Sequence, residues 1–354
     1  MELTVAHPAS LKELPDPQKL GFGQYFSDHM FVMDYQAGLG WLNPKIEAYQ
    51  PFLLDPSTLV FHYSQSIFEG LKAYRTAANH IQLFRPRDNF ARMNKSAHGL
   101  CMPEFDTEFV LDALKKLLQI DEKWVPAEEG TSLYIRPTLI ATENTLGVKA
   151  SKEYRFFIIT SPVGTYYPEG FNPVRIWISP QYVRAVPGGI GEAKAGGNYA
   201  ASLFAGELAH QKGFSQVLWL DGIEHRYIEE VGSMNIFFVI NNELVTPQLV
   251  GSILPGITRD SVIQLAKSWK MKVLERRITL DEIIQASKDG SLTEMFGSGT
   301  AAVISPVGEF CVEDDCYTIN KGEVGPISNR LYTELTGIQY GKIQDPFGWV
   351  VPVL

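Results

Sequence analysis

Residues 187–200 have the sequence PGGIGEAKAGGNYA, which contains five glycines and one lysine, Lys194. Glycine lets a backbone approach a ligand closely and adopt positive φ. A lysine among small residues can be partly desolvated, which lowers its pKa and makes it a nucleophile that forms a Schiff base with a carbonyl ligand. An ordinary lysine in a flexible surface loop fits the same pattern, so the rest of the chain has to decide between the two.

The composition indicates a globular protein of two domains. The chain has 354 residues, of which 45% are hydrophobic and 20% are charged. At about 150 residues per domain, this length favours two domains over one. The 31 basic and 40 acidic residues give a net charge of −9. A chain with this balance has no general attraction to phosphate backbones, so nucleic acid is not expected as its main partner.

Cysteine usage and the N-terminus predict a cytoplasmic location. The sequence has three cysteines, Cys101, Cys311 and Cys316. A small, odd number of cysteines argues against a disulfide framework, so we expect reduced thiols. The first residues lack a basic start followed by an apolar stretch, and no apolar run approaches the ~18 residues of a membrane helix. The seven histidines are not spaced as a metal pair, so no metal is expected.

Strand and helix patterns predict a mixed α+β fold, because they do not alternate strictly. Helices are predicted over 86–98, 106–119, 258–269, 280–287 and 327–335. Strands are predicted over 132–139, 154–160, 174–179, 216–220, 235–240 and 243–246, with hairpin turns at Asp221-Gly222 and Asn241-Asn242. A segment rich in proline and glycine predicts an interdomain linker over 163–173, between domains 1–162 and 174–354. A long surface loop is the alternative.

Two segments of the second half could bind a charged ligand. Glu230 precedes an apolar strand, where a carboxylate is costly unless it is paired, so it could face a cationic ring nitrogen. A solvated hairpin end is the alternative. The amides of Gly256, Ile257 and Thr258 precede an amphipathic helix and would form an anion site, to which Arg92 could add a charge. A plain helix cap would look the same.

Residues 297–302 have the sequence GSGTAA, which matches a dinucleotide-binding fingerprint. That interpretation needs a helix after the glycines, and Pro306 and Gly308 would break it. We therefore predict a glycine-rich turn whose amides can hold an anion. The sequence has no P-loop, no H-E-x-x-H and no G-x-S-x-G.

Taken together and in order, these segments resemble the branched-chain aminotransferases, which are fold-type IV enzymes that use pyridoxal phosphate. The resemblance covers nearly the whole chain and is specific in combination. Its segments are 62–73 (HYSQSIFEGLKA), 83–86 (LFRP), Arg92-Met93, 132–137 (SLYIRP), 194–199 (KAGGNY), 230–235 (EVGSMN), 254–256 (LPG) and 296–301 (FGSGTA). It implies a small N-terminal domain, a larger C-terminal domain that binds the cofactor, and a site between them.

The resemblance also implies roles for individual residues toward pyridoxal 5′-phosphate. Lys194 corresponds to the Schiff-base lysine, which also moves the proton between Cα and C4′ of the cofactor. Glu230 corresponds to the partner of the pyridine nitrogen, and Tyr199 to the hydrogen-bond donor to the phenolic oxygen. The expected phosphate contacts are Arg92, the amides of Ile257 and Thr258, and Thr300.

The implied substrates are L-leucine, L-isoleucine and L-valine, with 2-oxoglutarate as the amino-group acceptor. The expected apolar pocket is formed by Phe26, Tyr63, Phe68, Tyr134 and Tyr166. Arg136 corresponds to the group that meets the second carboxylate of glutamate. The amides of Thr300 and Ala301 would hold the α-carboxylate. Family members are homodimers, and Tyr63 is a candidate for reaching the partner's site.

The sequence departs from the family pattern in two places. Animal members carry a cysteine pair after the Gly-Thr-Ala turn, where this chain has Ala302 and Ser305, so that thiol switch is missing. Ser233 stands where some members have threonine, and it keeps the hydroxyl near the ring. The alternatives are a D-amino-acid transaminase or aminodeoxychorismate lyase with the same fold, and a non-catalytic protein that retains the fold. The retained Lys194 and Glu230 argue against the last of these.

Overall fold

A computed structural model describes residues 2–164 and 171–353. Within these ranges the helices are α1 (Leu59–Tyr63), α2 (Pro86–Gly99), α3 (Thr107–Ile120), α4 (Gly196–Gln211), α5 (Ile257–Ser268), α6 (Leu280–Lys288) and α7 (Pro326–Gln339). The strands are β1 (Thr4–Val5), β2 (His29–Gln36), β3 (Gly40–Ala48), β4 (Ser66–Phe68), β5 (Leu71–Arg75), β6 (Ile81–Phe84), β7 (Ser132–Ala141), β8 (Glu153–Val163), β9 (Val174–Ile178), β10 (Gln216–Leu220), β11 (Ile228–Val231), β12 (Met234–Ile240), β13 (Glu243–Thr246), β14 (Val273–Glu275), β15 (Leu292–Gly299), β16 (Val303–Val312), β17 (Asp315–Thr318) and β18 (Val350–Pro352). Among the residues described, no helix is both long and apolar enough to cross a membrane.

The chain divides into two compact units, each with its own sheet. The first unit combines the described residues up to 164 with the short segment Ala193–Gly197 and the residues from Gly337 onward. The second unit combines 171–192 with 198–336. The segment with Lys194 is therefore part of the first unit, although it lies far along the chain. The linker predicted over 163–173 includes residues 165–170, which lie outside the described ranges, so its boundaries stay a prediction.

The first unit is built on a nine-stranded sheet with the order β1-β3-β2-β8-β7-β5-β6-β18, to which β4 adds by pairing with β7. Successive side chains of a strand point to opposite faces, so each strand divides its residues between two surfaces. One face carries buried apolar residues such as Leu71, Ile135 and Leu139, which form the core together with α2 and α3. The opposite face carries Phe68, Lys72 and Tyr134, the last two being paired directly across β5 and β7.

The helices of the first unit begin where their sequences predict. Asp106 caps α3 by accepting backbone N–H groups of Glu108 and Phe109, which confirms the predicted helix over 106–119. The apolar positions of α3 that follow the helical period, such as Val110 and Leu114, are buried. Helix α2 likewise confirms the prediction over 86–98 and ends one residue later.

The second unit is built on another nine-stranded sheet, with the order β11-β10-β9-β16-β15-β12-β13-β14 and β17 paired to β16. Parallel pairs, such as β9 with β10, lie beside antiparallel ones, which agrees with the mixed α+β prediction. The predicted turn at Asn241-Asn242 is confirmed, since both residues have positive φ between β12 and β13.

The predicted two-residue turn at Asp221-Gly222 is wrong in its length. The connection between β10 and β11 runs from Asp221 to Tyr227, and the Asp221 side chain organises it. Its carboxylate accepts backbone N–H groups of Ile223 (3.2 Å), Glu224 (2.7 Å), Arg226 (3.0 Å) and Tyr227 (2.8 Å). An aspartate that binds several backbone groups ahead of it favours a wider loop over a tight turn.

The expectation of reduced thiols is wrong for one pair of cysteines. Cys311 and Cys316 form a disulfide, whereas Cys101 is exposed and unbonded. The two bonded residues lie directly opposite each other in the β16–β17 hairpin, with their Cα atoms 4.1 Å apart. The sequence rules for spaced cysteine pairs miss a bond of this kind, because it depends on the strand register.

We expect the Asp221 carboxylate to stabilise the protein in a pH-dependent way. Burial by itself raises the pKa of Asp221, but the hydrogen bonds from the four backbone N–H groups together lower it by more. The net result is a pKa of about 2, compared with the ordinary value of 3.8. Because the pKa is lowered on folding, the stabilisation is present above pH 3.8 and is lost as the pH falls toward 2. Asp221→Asn should therefore reduce the free energy of unfolding by about 2 kcal/mol at pH 7, and by progressively less below pH 4.

Urea unfolding at pH 7, 4 and 3 measures this difference. Asp314→Asn, in the exposed β16–β17 turn, is the matched control and should leave stability unchanged. A difference between wild type and Asp221→Asn that stays constant across the three pH values would contradict the expectation.

Candidate active site

Lys194 is held against the sheet of the first unit by its own backbone. Its carbonyl accepts the N–H of Phe68 at 3.0 Å, and its N–H donates to Ser96 Oγ at 3.0 Å. The flanking Ala193 and Ala195 are buried in the core of this unit. Because neighbouring side chains of an extended segment alternate, Lys194 points away from that core. Its Nζ lies 5.0 Å from the centre of the Phe68 ring.

The small residues around Lys194 are required by this close packing. A Cβ atom on Gly196 would come within 2.7 Å of Ser66 Oγ, so glycine is needed there for the segment to approach β4. Residues 193–196 are therefore packed against the first unit, and the surface-loop alternative is wrong for Lys194, although residues 187–190 of the same sequence are exposed.

Aromatic and cationic side chains surround Lys194 on the same face of the first sheet. Arg136 Nη2 donates to Tyr134 Oη at 3.1 Å, and the guanidinium lies 4.6 Å from the centre of the Phe68 ring. Phe22, which sequence analysis missed, packs edge-on against Tyr134 at 4.9 Å. The structure thus brings together four of the predicted site residues, Lys194, Phe68, Tyr134 and Arg136.

Lys72 is a second lysine on this face, and it is buried, whereas Lys194 is half-buried. The Lys72 side chain is only 7% exposed, and its backbone pairs with Tyr134 across β5 and β7. Burial lowers the pKa of Lys72 to about 8. The residue lies inside a segment that carries the family resemblance, but nothing local in the sequence distinguishes it from a surface lysine.

Arg92 forms a buried ion pair with Glu69. Its Nε lies 2.7 Å from Glu69 Oε1 and its Nη2 lies 2.9 Å from Oε2. Such a two-point contact fixes the plane of the guanidinium, whose five N–H groups point in set directions. Glu69 is thus the residue that orients the Arg92 guanidinium. The contact of Arg92 with a phosphate stays a prediction.

In the second unit, Glu230 is a buried carboxylate with defined partners. It lies in β11 and is 3% exposed, so the solvated hairpin end considered above is wrong. Its Oε1 accepts the Asn235 side-chain amide at 3.2 Å and the Leu254 N–H at 3.0 Å. Its Oε2 lies 2.8 Å from Arg184 Nε. The Arg184 N–H is not aligned with this contact, which is therefore an attraction between charges and not a directed hydrogen bond.

Arg184 also connects two loops of the second unit. Its Nη2 donates to the carbonyls of Gly191 and Ser252. A Cβ atom on Gly191 would lie 2.5 Å from the Ser252 carbonyl oxygen, so glycine allows the two loops to approach. Sequence analysis missed Arg184, because a residue 46 positions from its carboxylate partner leaves no local signal.

Glu229 differs from its neighbour Glu230 in its environment. Burial raises the pKa of Glu229, and the hydrogen bond from Ser252 Oγ and the charge of Arg184 oppose that rise. The two glutamates alternate along β11, so their side chains point to opposite faces. Glu230, in contrast, accepts hydrogen bonds from the Asn235 amide and the Leu254 N–H and lies 2.8 Å from Arg184 Nε.

The N-terminus of α5 lies beside Glu230. The helix begins at Ile257 after the N-cap residue Gly256, which has no side chain to cap it. A Cβ atom on Gly256 would lie 2.0 Å from Asn235 Oδ1, so the residue that holds Glu230 also packs against this helix end. The amides of Ile257 and Thr258 are in the first turn, where a helix offers N–H groups to an anion.

Ser233 and Thr300 lie at one end of the second sheet. Asn235 pairs with Ser298 between β12 and β15, which places the turn at 232–233 beside the turn at 300–302. Gly299 ends β15, and a strand, β16, follows in place of a helix, as the rejection of the dinucleotide motif predicted. The amides of Thr300 and Ala301 therefore lie in a glycine-led turn, as predicted.

The remaining predicted site residues lie as follows. Tyr199 is half-buried in the first turn of α4, and its carbonyl accepts Ser202 Oγ at 2.7 Å. Phe26 stacks on Tyr49 with ring centres 5.1 Å apart. Tyr63 is 41% exposed, and its hydroxyl donates to the Leu146 carbonyl at 2.6 Å. Tyr166 lies outside the described residues.

Comparison with known proteins gives a consistent result. The chain matches the family "Amino-transferase class IV" over residues 66–310. It is 59% identical over 342 residues to "Branched-chain-amino-acid aminotransferase 2" of Bacillus subtilis (strain 168), which covers 97% of this chain and 94% of that protein.

Solved structures of similar fold carry related names. The crystal structure of the Escherichia coli branched-chain amino acid aminotransferase has a TM-score of 0.78 and 28% identity, covering 92% of this chain and 99% of that one. The crystal structure of the branched-chain aminotransferase from Thermoproteus uzoniensis with norvaline has a TM-score of 0.76 and 25% sequence identity. The match covers 92% of this chain and 100% of that one.

We expect Arg184→Met to destabilise the protein strongly. The change leaves the buried carboxylate of Glu230 without its cation, and removing one partner of a buried ion pair costs about 3–5 kcal/mol. Urea unfolding at pH 7 measures the loss. Arg175→Met, which breaks the solvent-exposed pair with Glu309, is the control and should cost far less. If the free energy of unfolding falls equally in Arg184→Met and Arg175→Met, the expectation for the buried Arg184–Glu230 pair is wrong.

Proposed function

The chain belongs to the class IV aminotransferases, and from that premise we propose how its residues catalyse the reaction of a branched-chain-amino-acid aminotransferase. The enzyme transfers the amino group of L-leucine, L-isoleucine or L-valine reversibly to 2-oxoglutarate. The products are the branched 2-oxo acid and L-glutamate. The observation that carries the proposal is the set of Phe68, Tyr134 and Arg136 beside Lys194 on one sheet face.

The residues present fit pyridoxal 5′-phosphate. Glu230 is a fixed, buried carboxylate suited to a protonated ring nitrogen, and the α5 N-terminus at Ile257 and Thr258 is suited to a phosphate. Arg92, oriented by Glu69, and Thr300 would add phosphate contacts, and Tyr199 would donate to the phenolic oxygen. When bound, the cofactor supplies an aldehyde that joins the amino group and a ring that accepts the electron pair released at Cα.

Lys194 would act as both anchor and base. Its Nζ would hold the cofactor through the aldehyde carbon. The same amine would move the proton between the substrate Cα and C4′ of the cofactor. The backbone bonds of Lys194 to Phe68 and Ser96 fix the main chain from which this side chain extends, so the amine works from a constant point of attachment.

Glu230 would keep a positive charge on the ring nitrogen through both half-reactions. An ionised carboxylate in a buried site stabilises a nearby cation more strongly than it does in water. Asn235, Leu254 and Arg184 hold this carboxylate in place, so no rearrangement is needed when charge develops.

The substrate side chain would lie on the sheet face that carries Phe68 and Tyr134. Aromatic walls accept an aliphatic side chain, and Arg136 meets the second carboxylate of glutamate or 2-oxoglutarate. We assign Phe26, Tyr63 and Tyr166 to the same pocket. The amides of Thr300 and Ala301, with Ser233 beside them, would bind the α-carboxylate.

The alternative enzymes on this fold have less support. A D-amino-acid transaminase or an aminodeoxychorismate lyase would keep Lys194 and Glu230 but change the pocket. Two observations favour branched-chain substrates: the hydrogen-bonded pair of Tyr134 and Arg136, and the 59% sequence identity to the Bacillus subtilis relative. Activity with D-alanine but not with L-leucine would reverse this choice.

We further propose a homodimer. Around Tyr63 the first unit exposes a group of apolar side chains, namely Phe61 (59%), Tyr63 (41%), Leu146 (64%) and Val148 (82%). Clustered exposed apolar residues are typical of protein interfaces. Sedimentation equilibrium of the purified protein should give twice the chain mass, and a monomer at micromolar concentration would contradict this proposal.

A cytoplasmic location stays our proposal as well. The Cys311–Cys316 disulfide is an observation against it, because such bonds are rare in a reducing cytosol. Alkylation of thiols in freshly lysed cells, followed by mass spectrometry of the peptide with both cysteines, decides the matter. Two alkylated cysteines support the cytoplasm, and an intact disulfide opposes it.

Lys194→Ala should abolish the link to the cofactor and nearly all turnover. Turnover should fall by at least about 10³-fold, because both the anchoring amine and the base are lost. Borohydride reduction of the wild-type holoenzyme, followed by peptide mapping, should place the cofactor on Lys194. Label on Lys72 would contradict the assignment, as would normal turnover of Lys194→Ala. Lys45→Met, at a half-buried pair with Glu47 on β3, is the control.

A further inference from the structure

Glu229 is a buried acidic residue that the proposed mechanism does not use. It precedes Glu230 on β11 and is 3% exposed. Its Oε1 accepts a hydrogen bond from Ser252 Oγ, and Ser252 is itself fully buried. Among the described residues, no donor reaches its Oε2. Burying a carboxyl group with one oxygen unpaired is costly, so packing alone is a poor reason for its presence.

The loop from Ser252 to Gly256 connects Glu229 to the proposed cofactor site. Ser252 donates to Glu229, and two residues later the Leu254 N–H donates to Glu230 Oε1 at 3.0 Å. Two residues after that, Gly256 is the N-cap of α5, whose first turn offers amides to a phosphate. The same short loop therefore contacts both glutamates and leads directly into the helix end that would bind an anion.

Two further side chains hold this loop. Arg184 Nη2 donates to the Ser252 carbonyl, and Arg184 Nε lies 2.8 Å from Glu230 Oε2. Asn235 Nδ2 donates to the Leu254 carbonyl at 2.9 Å and to Glu230 Oε1 at 3.2 Å. These contacts join the loop to the carboxylate that would meet the ring nitrogen of the cofactor.

The bond between Glu229 and Ser252 requires an oxygen acceptor and not a charge. Burial raises the pKa of Glu229 and the charge of Asp221 adds to the rise, whereas Ser252 and the charge of Arg184 oppose it. A carboxylate, a protonated carboxyl group and a side-chain amide all present an oxygen that accepts a hydroxyl proton. Glutamine at this position would therefore keep the bond, and alanine would remove it.

We propose that Glu229 is a positioning residue, which sets the distance between the Glu230 carboxylate and the N-terminus of α5. It acts through Ser252 and not by contact with the cofactor. A ligand bound at both its ring nitrogen and its phosphate needs these two parts of the protein at the correct separation. If the loop moves, only a fraction of the molecules can bind both ends, and the apparent affinity falls by that fraction. This inference rests on the proposed function, which places the cofactor at these two groups.

Pyridoxamine 5′-phosphate and inorganic phosphate test this role in the full-length protein after removal of the cofactor. Pyridoxamine 5′-phosphate has the ring nitrogen and the phosphate but no aldehyde for Lys194, whereas inorganic phosphate needs only the helix end. Calorimetric titration gives both dissociation constants. We expect Glu229→Ala to raise that of pyridoxamine 5′-phosphate about tenfold or more, and that of phosphate by less than about threefold.

Further variants show whether the effect passes through Ser252. Ser252→Ala removes the same hydrogen bond, so it should weaken pyridoxamine 5′-phosphate by a similar factor. The double variant should add little to either single change, because both remove one contact. Glu229→Gln keeps the acceptor and should bind within about threefold of wild type. Glu224→Ala, at an exposed glutamate that pairs with Arg277, is the matched control and should behave as wild type.

The results separate a positioning role from a purely structural one. If Glu229→Ala weakens both ligands by the same factor, the residue only maintains the loop and the inference is wrong. Unchanged affinity of Glu229→Ala for pyridoxamine 5′-phosphate, or equally poor binding by Glu229→Gln, also overturns it. If Glu229→Ala does not fold, Ser252→Ala decides by the same criteria. A wild-type protein that binds neither ligand overturns the proposed cofactor site itself.

Discussion

The alternation of side chains along extended backbone controls where chemistry can occur in this protein. In the first unit it sends Leu71, Ile135 and Ala195 into the core and leaves Lys72, Arg136 and Lys194 on the other face. The segment with Lys194 joins this sheet through backbone bonds to Phe68 and Ser96, so it obeys the same rule. A shift of one residue would bury the lysine and expose an alanine. The direction in which the Lys194 side chain points therefore depends on strand register and not only on the glycines around it.

Buried charge is the second feature on which the site depends. Glu230 with Arg184, and Glu69 with Arg92, are ion pairs in which each side chain is less than 9% exposed. Replacing such pairs by apolar residues is often neutral or stabilising, so their presence is weak evidence for a role in stability. In our proposal their value is positional, because each pair fixes one group that would contact the cofactor. Each pair holds its charges in set directions before any ligand arrives, which is what electrostatic catalysis requires.

The sequence predicted those parts of the structure that depend on neighbouring residues. Asp106 before a 3.6-residue pattern predicted α3, and Asn241-Asn242 predicted a turn. Helix α4 was not predicted, because Gly196 and Gly197 in its first turn are poor helix formers. The Cys311–Cys316 bond, the contact of Arg184 with Glu230, and the place of Lys194 in the first unit all join distant residues or depend on register. No local pattern encodes them. The local sequence singled out Lys194 and Glu230 but left an alternative open for each, and the resemblance supplied their expected roles. The structure adds what holds each of them in place.

The visible absorption spectrum of the purified protein, recorded with pyridoxal phosphate, then with L-leucine, then with 2-oxoglutarate, shows whether the protein carries out both half-reactions. We expect a yellow band that disappears with L-leucine and returns with 2-oxoglutarate, because each half-reaction changes the state of the bound cofactor. A yellow band that L-leucine leaves unchanged would contradict the assigned substrates. A protein that stays colourless with added pyridoxal phosphate would contradict the site itself.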